Sequence, residues 1–165
     1  MTEKIPQEPL LDLQQVLPIL DQISLFGGLS KDQLHTMFGK LKLVHYKAQD
    51  MIFKQGDQPS YIYIVLAGEI RLVFDHADHP LSQAQFLPGA CFGETSVIGI
   101  QPHSASTLAV VDTDLLVLSK ENLMEIFDSD KTLFGMLILN IAREASRRLH
   151  KADELLLQTL HQNDN

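Results

Sequence analysis

Apolar positions along this 165-residue chain recur with two different periods, and the switch between them divides it into three parts. Beyond the first nine residues, Leu10, Leu13, Leu17 and Leu20 recur at helical spacing. Pro18 interrupts them, so a short kinked helix with one apolar face is expected. Gly27-Gly28 reads as a turn. Ser30-Lys31-Asp32-Gln33 has the form of a capping box, and Leu34, Met37, Phe38 and Leu41 would line one face of the helix it starts.

From Leu43 to Ser119 the period falls to two. The β-rich runs LVHY, MIFK, YIYIVL, EIRLVF, AQFL, TLAVV and LLVL follow one another. Turn chemistry separates them, at Gly56 to Pro59, Ala67-Gly68, Asp75 to Pro80, Pro88-Gly89 and Asp112 to Asp114. Short strands at near-regular spacing predict a sandwich or barrel. Tyr61, Tyr63 and Val65 would face one way and Ile62, Ile64 and Leu66 the other. Both sets are apolar, as suits a strand covered on each side.

Helical spacing returns after Ser119, a suitable N-cap for Lys120 to Phe127 with Leu123, Ile126 and Phe127 on one side. A longer helix is expected from about Asp130 toward Leu160, with Ile138, Ile141, Ala145, Leu149, Ala152, Leu156 and Leu160 apolar. Ile138, Leu149 and Leu160 repeat every eleven residues, which keeps one stripe aligned without strong supercoiling. A stripe so far from the barrel is more economically buried against a second copy than folded back, so a homodimer through this helix is expected.

Composition narrows the function. Hydrophobic residues make up 45%, enough for a core, which argues against a disordered linker. Acidic side chains outnumber basic ones 21 to 13, for a net charge of -8, so no direct DNA partner is expected. The single cysteine, Cys91, cannot form an internal disulfide or a multi-cysteine metal site, and its apolar neighbours suit a buried thiol. Prolines and acidic residues near the start do not suit a secretory signal, and no apolar run is long enough to span a bilayer. A cytoplasmic location with no membrane partner is expected.

The chemistry concentrates in FGETSVIGIQPHSAST, Phe92 to Thr107. Gly93 lets backbone N–H groups approach an anion without an intervening Cβ. Glu94 would repel a phosphate but can accept from a sugar hydroxyl, as acidic residues do in dinucleotide sites. A single helical turn fits between Val97 and Pro102, and Ser104 with the backbone at Ala105 can donate further hydrogen bonds. The simpler alternative is that Gly93 and Pro102 shape a turn and Glu94 caps it.

This stretch resembles the phosphate-binding cassette of the cyclic nucleotide-binding domain family, in which Phe-Gly-Glu and a short apolar turn precede Pro-Arg-(Ser/Thr/Ala)-Ala. Phe92, Gly93, Glu94, Val97, Ile98, Pro102, Ser104 and Ala105 match it. The likeness extends to LFGGLS, FKQGD, YIVLAGEIRL and FLPGACFGE, and covers most of Leu25 to Leu149. It implies a mainly β fold with flanking α-helices, a double-stranded β-helix (jelly-roll β-roll) followed by a long C-terminal helix. The expected divisions are an N-terminal helical segment at 1–24, the roll with its flanking helices at 25–127, and a lid or dimerisation helix with its tail at 128–165.

By the same resemblance the ligand is cyclic AMP or cyclic GMP, no metal is needed, and the ligand-binding residues are Gly93, Glu94, Thr95, His103, Ser104 and Ala105. Glu94 would take the ribose 2′-hydroxyl; Gly93, Ser104 and Ala105 would surround the phosphate. His103 departs from the pattern, standing where the family carries an arginine. Losing one charge-assisted hydrogen bond weakens binding by roughly 1.5–3 kcal/mol, ten- to a hundredfold. Histidine is also mostly neutral at pH 7, so binding should be weak and tighten as pH falls. The region matching the family's base-capping lid, near Ala152 and Asp153, lacks the hydroxyl pair some members use, which leaves the base open.

Other candidates are weaker. His76 and His79 in DHADHP lie at a hairpin tip and suit a solvated turn better than a metal site. His45 suits an outward strand position. No nucleophile elbow, P-loop or dinucleotide fingerprint is present, so an enzyme is not expected. Arg143, Arg147, Arg148 and Lys151 read as a solvated face with ion pairs to Glu144 and its neighbours. The expected function is a regulatory module that binds cyclic nucleotide and signals by reorienting its C-terminal helix to an unknown downstream partner. No helix-turn-helix follows Leu160, where family transcription factors carry one. The alternative is a degenerate dimerisation module that binds no nucleotide.

Overall fold

The computed structural model describes residues 16–74 and 81–163. Leu10, Leu13, His76 and His79 lie outside these residues, as does the side chain of Leu160. The chain forms two four-stranded antiparallel sheets rolled against each other, with helices on the outside and one long helix at the C-terminal end. This is the jelly-roll β-roll. The strands are β1 (Leu41–Tyr46), β2 (Met51–Phe53), β3 (Tyr61–Ala67), β4 (Ile70–Phe74), β5 (Leu81–Phe86), β6 (Cys91–Phe92), β7 (Ser106–Ala109) and β8 (Thr113–Ser119). One sheet runs β1-β8-β3-β6 and the other β2-β7-β4-β5.

Each of the seven β-rich runs becomes a strand. The eighth, β6, spans two residues and is too short to show a period. Leu41, expected on a helix face, instead begins β1 opposite Leu118. On β3 the alternation holds residue by residue. Tyr63 and Val65 face the roll interior with Phe53, Ile70, Phe86 and Phe92, and Tyr61 packs against that cluster. Ile62, Ile64 and Leu66 face outward into a second core that the helices cover. Burying both faces of one strand supplies about 1.5–3 kcal/mol for each fully buried aliphatic side chain.

The chain before β1 forms 3-10 turns at Leu17–Gln22 and Ser24–Phe26, with Pro18 in the first turn, where an α-helix was expected. Helix α1 (Lys31–Phe38) starts at the capping box: Ser30 Oγ accepts from the Gln33 N–H at 3.2 Å, and Gln33 Oε1 from the Ser30 N–H at 2.9 Å. Helix α2 (Glu94–Gly99) follows β6 directly, so the short turn begins at Glu94, earlier than the expected Val97 to Pro102. Gly93 at φ +80° makes that early start possible. Helix α3 (Lys120–Ser129) is capped by Ser119 Oγ, which accepts from Asn122 N–H at 3.1 Å. Helix α4 (Lys131–Asn163) is 33 residues long. No helix among the described residues is long and apolar enough to cross a membrane.

The two halves of α4 differ. Leu133, Leu137 and Ile141 are buried in the outer core with Val16, Ile23 and Leu25. Leu149, Leu155, Leu156 and Leu157 are exposed, Leu149 at 64%. The helix therefore docks at its base and leaves the roll's apolar cover behind. Asn140 fixes the base: its Nδ2 donates to Leu25 O at 3.0 Å and Gly27 O at 2.8 Å, and its Oδ1 accepts from Arg143 Nη1 at 3.2 Å.

Asn140 is 5% exposed, so losing its amide strands two carbonyls against α4. Asn140→Ala should destabilise the chain by about 1–3 kcal/mol, read as a lower urea midpoint at unchanged slope. An unchanged midpoint would show that apolar packing alone seats the helix.

Candidate ligand-binding site

The chain turns from β6 into α2 at Gly93, and the turn requires glycine twice over. Its φ is +80°, and a Cβ there would meet Tyr61 O at 3.0 Å and the Tyr63 ring at 3.2 Å. This close approach to β3 seats the first residue of α2, Glu94, inside the protein. Glu94 is fully buried, with 0% exposure.

A buried carboxylate demands a partner, and α4 supplies it. Arg148 Nη1 donates to Glu94 Oε1 at 2.7 Å. The same guanidinium donates from Nη2 to the Cys91 carbonyl and lies 5.1 Å over the Phe86 ring. Its Nε is 3.4 Å from Glu144 Oε1, one turn back on α4. Glu94 Oε2 makes no hydrogen bond. One oxygen is thus clamped and the other is buried without a hydrogen-bond partner.

The electrostatics follow from this burial. Desolvation pushes the Glu94 carboxyl above its ordinary range, and the Arg148 charge pulls against it without cancelling it. Burial raises the Cys91 thiol well above its ordinary value, with the Glu94 charge adding to the effect. Cys91 therefore stays a protonated core thiol.

His103 arrives from the other side of the roll. It is 3% exposed, and its ring stacks on Phe53 with centroids 3.6 Å apart and planes 10° apart. Its backbone is clamped to the β2 loop: His103 N–H donates to Asp57 O at 2.9 Å, and Gly56 N–H to His103 O at 2.8 Å. Ala105 is buried beside it in sequence, whereas Thr95 and Ser104 are exposed. Of the six candidate positions three are therefore buried, Gly93 is half-buried and two are exposed. Among the described residues no cluster of three or more His, Cys, Asp or Glu side chains is placed to hold a metal. His45 is outward and pairs with Asp114 at 2.7 Å.

Arg148 is the residue that the sequence pattern assigns to the wrong environment. Arg147 does lie on a solvated face, and the Glu144–Arg148 pair forms at i,i+4. Yet Arg148 also reaches 54 residues back to Glu94. Its one local clue is an arginine on the same helical face as Ile141 and Ala145, where a solvated helix has no need of one.

Folding raises the Glu94 carboxyl above its ordinary value of 4.5, so its contribution to stability is full at low pH and is lost as pH rises through the folded value. Removing the guanidinium lifts the folded value further and deepens that loss. Arg148→Ala should therefore cost about 3 kcal/mol near pH 7.5, the low end for a broken buried pair, and clearly less near pH 5. Adding Glu94→Gln should restore most of the difference. Equal losses at both pH values in urea unfolding would show that packing on Phe86, rather than charge, is what Arg148 supplies.

The chain is similar to known proteins in sequence and in fold. The family profile described as the cyclic nucleotide-binding domain matches residues 43–130. The chain is 32% identical over 130 residues to the cyclic AMP receptor protein of Thermus thermophilus, covering 78% of this chain and 58% of that one. It is 31% identical over 124 residues to the cyclic nucleotide-gated channel beta-3 of Canis lupus familiaris, covering 71% of this chain and 16% of the channel. It thus spans little more than half of the receptor and a small part of the channel. The crystal structure of the Thermus thermophilus catabolite activator protein superposes with a TM-score of 0.71 at 31% identity, covering 81% of this chain and 61% of that chain. A cyclic nucleotide-binding domain from Methylobacillus flagellatus shares the fold at a TM-score of 0.79 and 24% identity, covering 88% of this chain and 83% of that one. With roll, cassette and profile in agreement, the chain belongs to the cyclic nucleotide-binding domain family.

Proposed function

We propose that this chain is a cyclic nucleotide-binding regulatory module that takes cyclic AMP or cyclic GMP in its roll and signals through α4. The observation that carries this reading is Glu94. A carboxylate with no exposure, one oxygen clamped by Arg148 and the other without a hydrogen bond, is costly to the fold unless something uses it. A sugar hydroxyl donating to Oε2 would satisfy it. His103 and the backbone at Gly93 and Ala105 would face the phosphate, with Thr95 and Ser104 closing over it from the surface. Imidazole in place of the family's arginine makes that contact weaker.

The output is the second half of α4. Arg148 joins the helix to the ligand-facing carboxylate, so occupancy of the roll biases where the helix lies. The exposed face at Leu149 and Leu156 would then pair with a second copy, giving a homodimer whose geometry reports the ligand. The roll and its flanking helices form the receiving unit, and 128–165 forms the transmitting one. A net charge of -8 supports a small-molecule ligand and a protein partner over direct DNA contact.

One observation favours the other reading, a dimerisation module with a retired pocket. His103 is stacked on Phe53 and Glu94 is held by Arg148, so much of the site is satisfied from within. Thermal melting separates the two. With either nucleotide at a hundred times its dissociation constant, the chain should gain about 2.7 kcal/mol of stability. His103→Arg should tighten binding ten- to a hundredfold, and Glu94→Ala should remove it. Indifference of both the wild-type chain and His103→Arg to millimolar nucleotide would leave only the dimerisation module.

A further inference from the structure

Thr107 shares one property with Glu94. It is fully buried, and its Oγ1 has no hydrogen-bond partner. The buried hydroxyls nearest it in the chain and at the end of the sheet are in structural use: Ser106 Oγ accepts from Gln55 N–H at 2.9 Å, and Thr113 Oγ1 donates to Val111 O at 2.8 Å. Valine would fill the same space without burying an orphan donor, so a purely structural role gives no reason for threonine here.

The register places this oxygen. Side chains directly opposite across an antiparallel pair share a face. Thr107 on β7 lies opposite Phe53 on β2 and opposite Leu72 on β4, which in turn lies opposite Ala84 on β5. Phe53 belongs to the roll's inner cluster, and Leu72 and Ala84 pack against it, so Thr107 faces the interior. Phe53 is also the ring on which His103 stacks. One row further along, Ile70, Ala109 and Phe86 close the interior, while Leu72 and Ala84 remain partly exposed. The Thr107 row is therefore the one whose neighbours keep some exposure, and it shares Phe53 with the imidazole.

We propose that Thr107 is a ligand-contacting residue whose hydroxyl, beside His103, donates to the phosphate end of the nucleotide and takes over part of the missing arginine's work. This rests on the binding reading above and adds to it a residue of the inner wall, beyond the cassette. The hydroxyl and Glu94 Oε2 are both shut off in the ligand-free roll, so a ligand that meets them must open it.

Thr107→Val tests the assignment, with cyclic AMP and cyclic GMP as probes in calorimetric titration and the ligand-free melting temperature measured alongside. The variant should bind about tenfold more weakly, the loss of one hydrogen bond to a charged acceptor, and melt at or above the wild-type temperature because an unpaired buried hydroxyl is gone. Thr107→Ser should keep wild-type affinity. A wild-type chain that binds while Thr107→Val binds equally well overturns the role of Thr107 and leaves the binding reading intact. A lower ligand-free melting temperature with unchanged affinity assigns the hydroxyl to structure, which also overturns it. A wild-type chain that binds neither probe overturns both.

Discussion

The Glu94–Arg148 pair is the contact on which the arrangement of roll and helix depends, and its energetics explain why it says more about placement than about stability. Ion pairs out of water return little net free energy, because desolvation offsets the attraction. Breaking one by removing a single partner is expensive, and the raised Glu94 carboxyl shows that burial outweighs its partner. The pair therefore fixes a position. It joins α4 to the start of α2 and, through the same guanidinium, to the carbonyl of Cys91 on the last strand before that helix.

Asn140 and Arg148 together make α4 a two-point attachment. They are eight residues apart, 148 minus 140, or about 12 Å along a helix. The first holds the base to the 3-10 turn at Leu25 and Gly27, through neutral hydrogen bonds packed among aliphatic side chains. The second holds the helix to the cassette through charge. Apolar cover lies at the base, and beyond Arg148 the side chains of Leu149, Leu156 and Leu157 are exposed. On the proposed reading, a change at the cassette would act on the Arg148 attachment, with the packed base as pivot.

How much of this was legible depended on the range over which each signal acts. The strands were readable because alternation is local: β3 shows its two faces in six consecutive residues, and both are filled as the pattern demands. The capping box at Ser30 and the cap at Ser119 were readable for the same reason. Strand β6 was not, since two residues carry no period and its pairing with Tyr63 and Ile64 is decided by the sheet. Helix α2 was misplaced by three residues because its start is set by Gly93 packing on Tyr61 and Tyr63, a tertiary fact. The Phe92 to Thr107 stretch stands out by its residues, but Arg148 joins Glu94 across 54 positions. The i,i+4 pairing with Glu144, which the sequence does show, concealed that longer reach.

The geometry also sets the direction in which a ligand would act. Arg148 holds Oε1 of Glu94, while Oε2 is buried without a hydrogen-bond partner. A hydroxyl donating to Oε2 leaves the pair in place and gives the carboxylate a second donor, so it favours the docked helix. A ligand that competed for Oε1 would break that pair and leave a half-buried guanidinium facing Phe86 and Glu144. The first arrangement satisfies every group and the second strands one, so occupancy should tighten α4 onto the roll. Charge points the same way for the phosphate. Arg148 already pairs with both Glu94 and Glu144, and Arg147 pairs with Glu144, so these cations are already matched by carboxylates. On the proposed reading the anion would be met by backbone N–H groups, an imidazole and hydroxyls, where each contact is modest and several are needed.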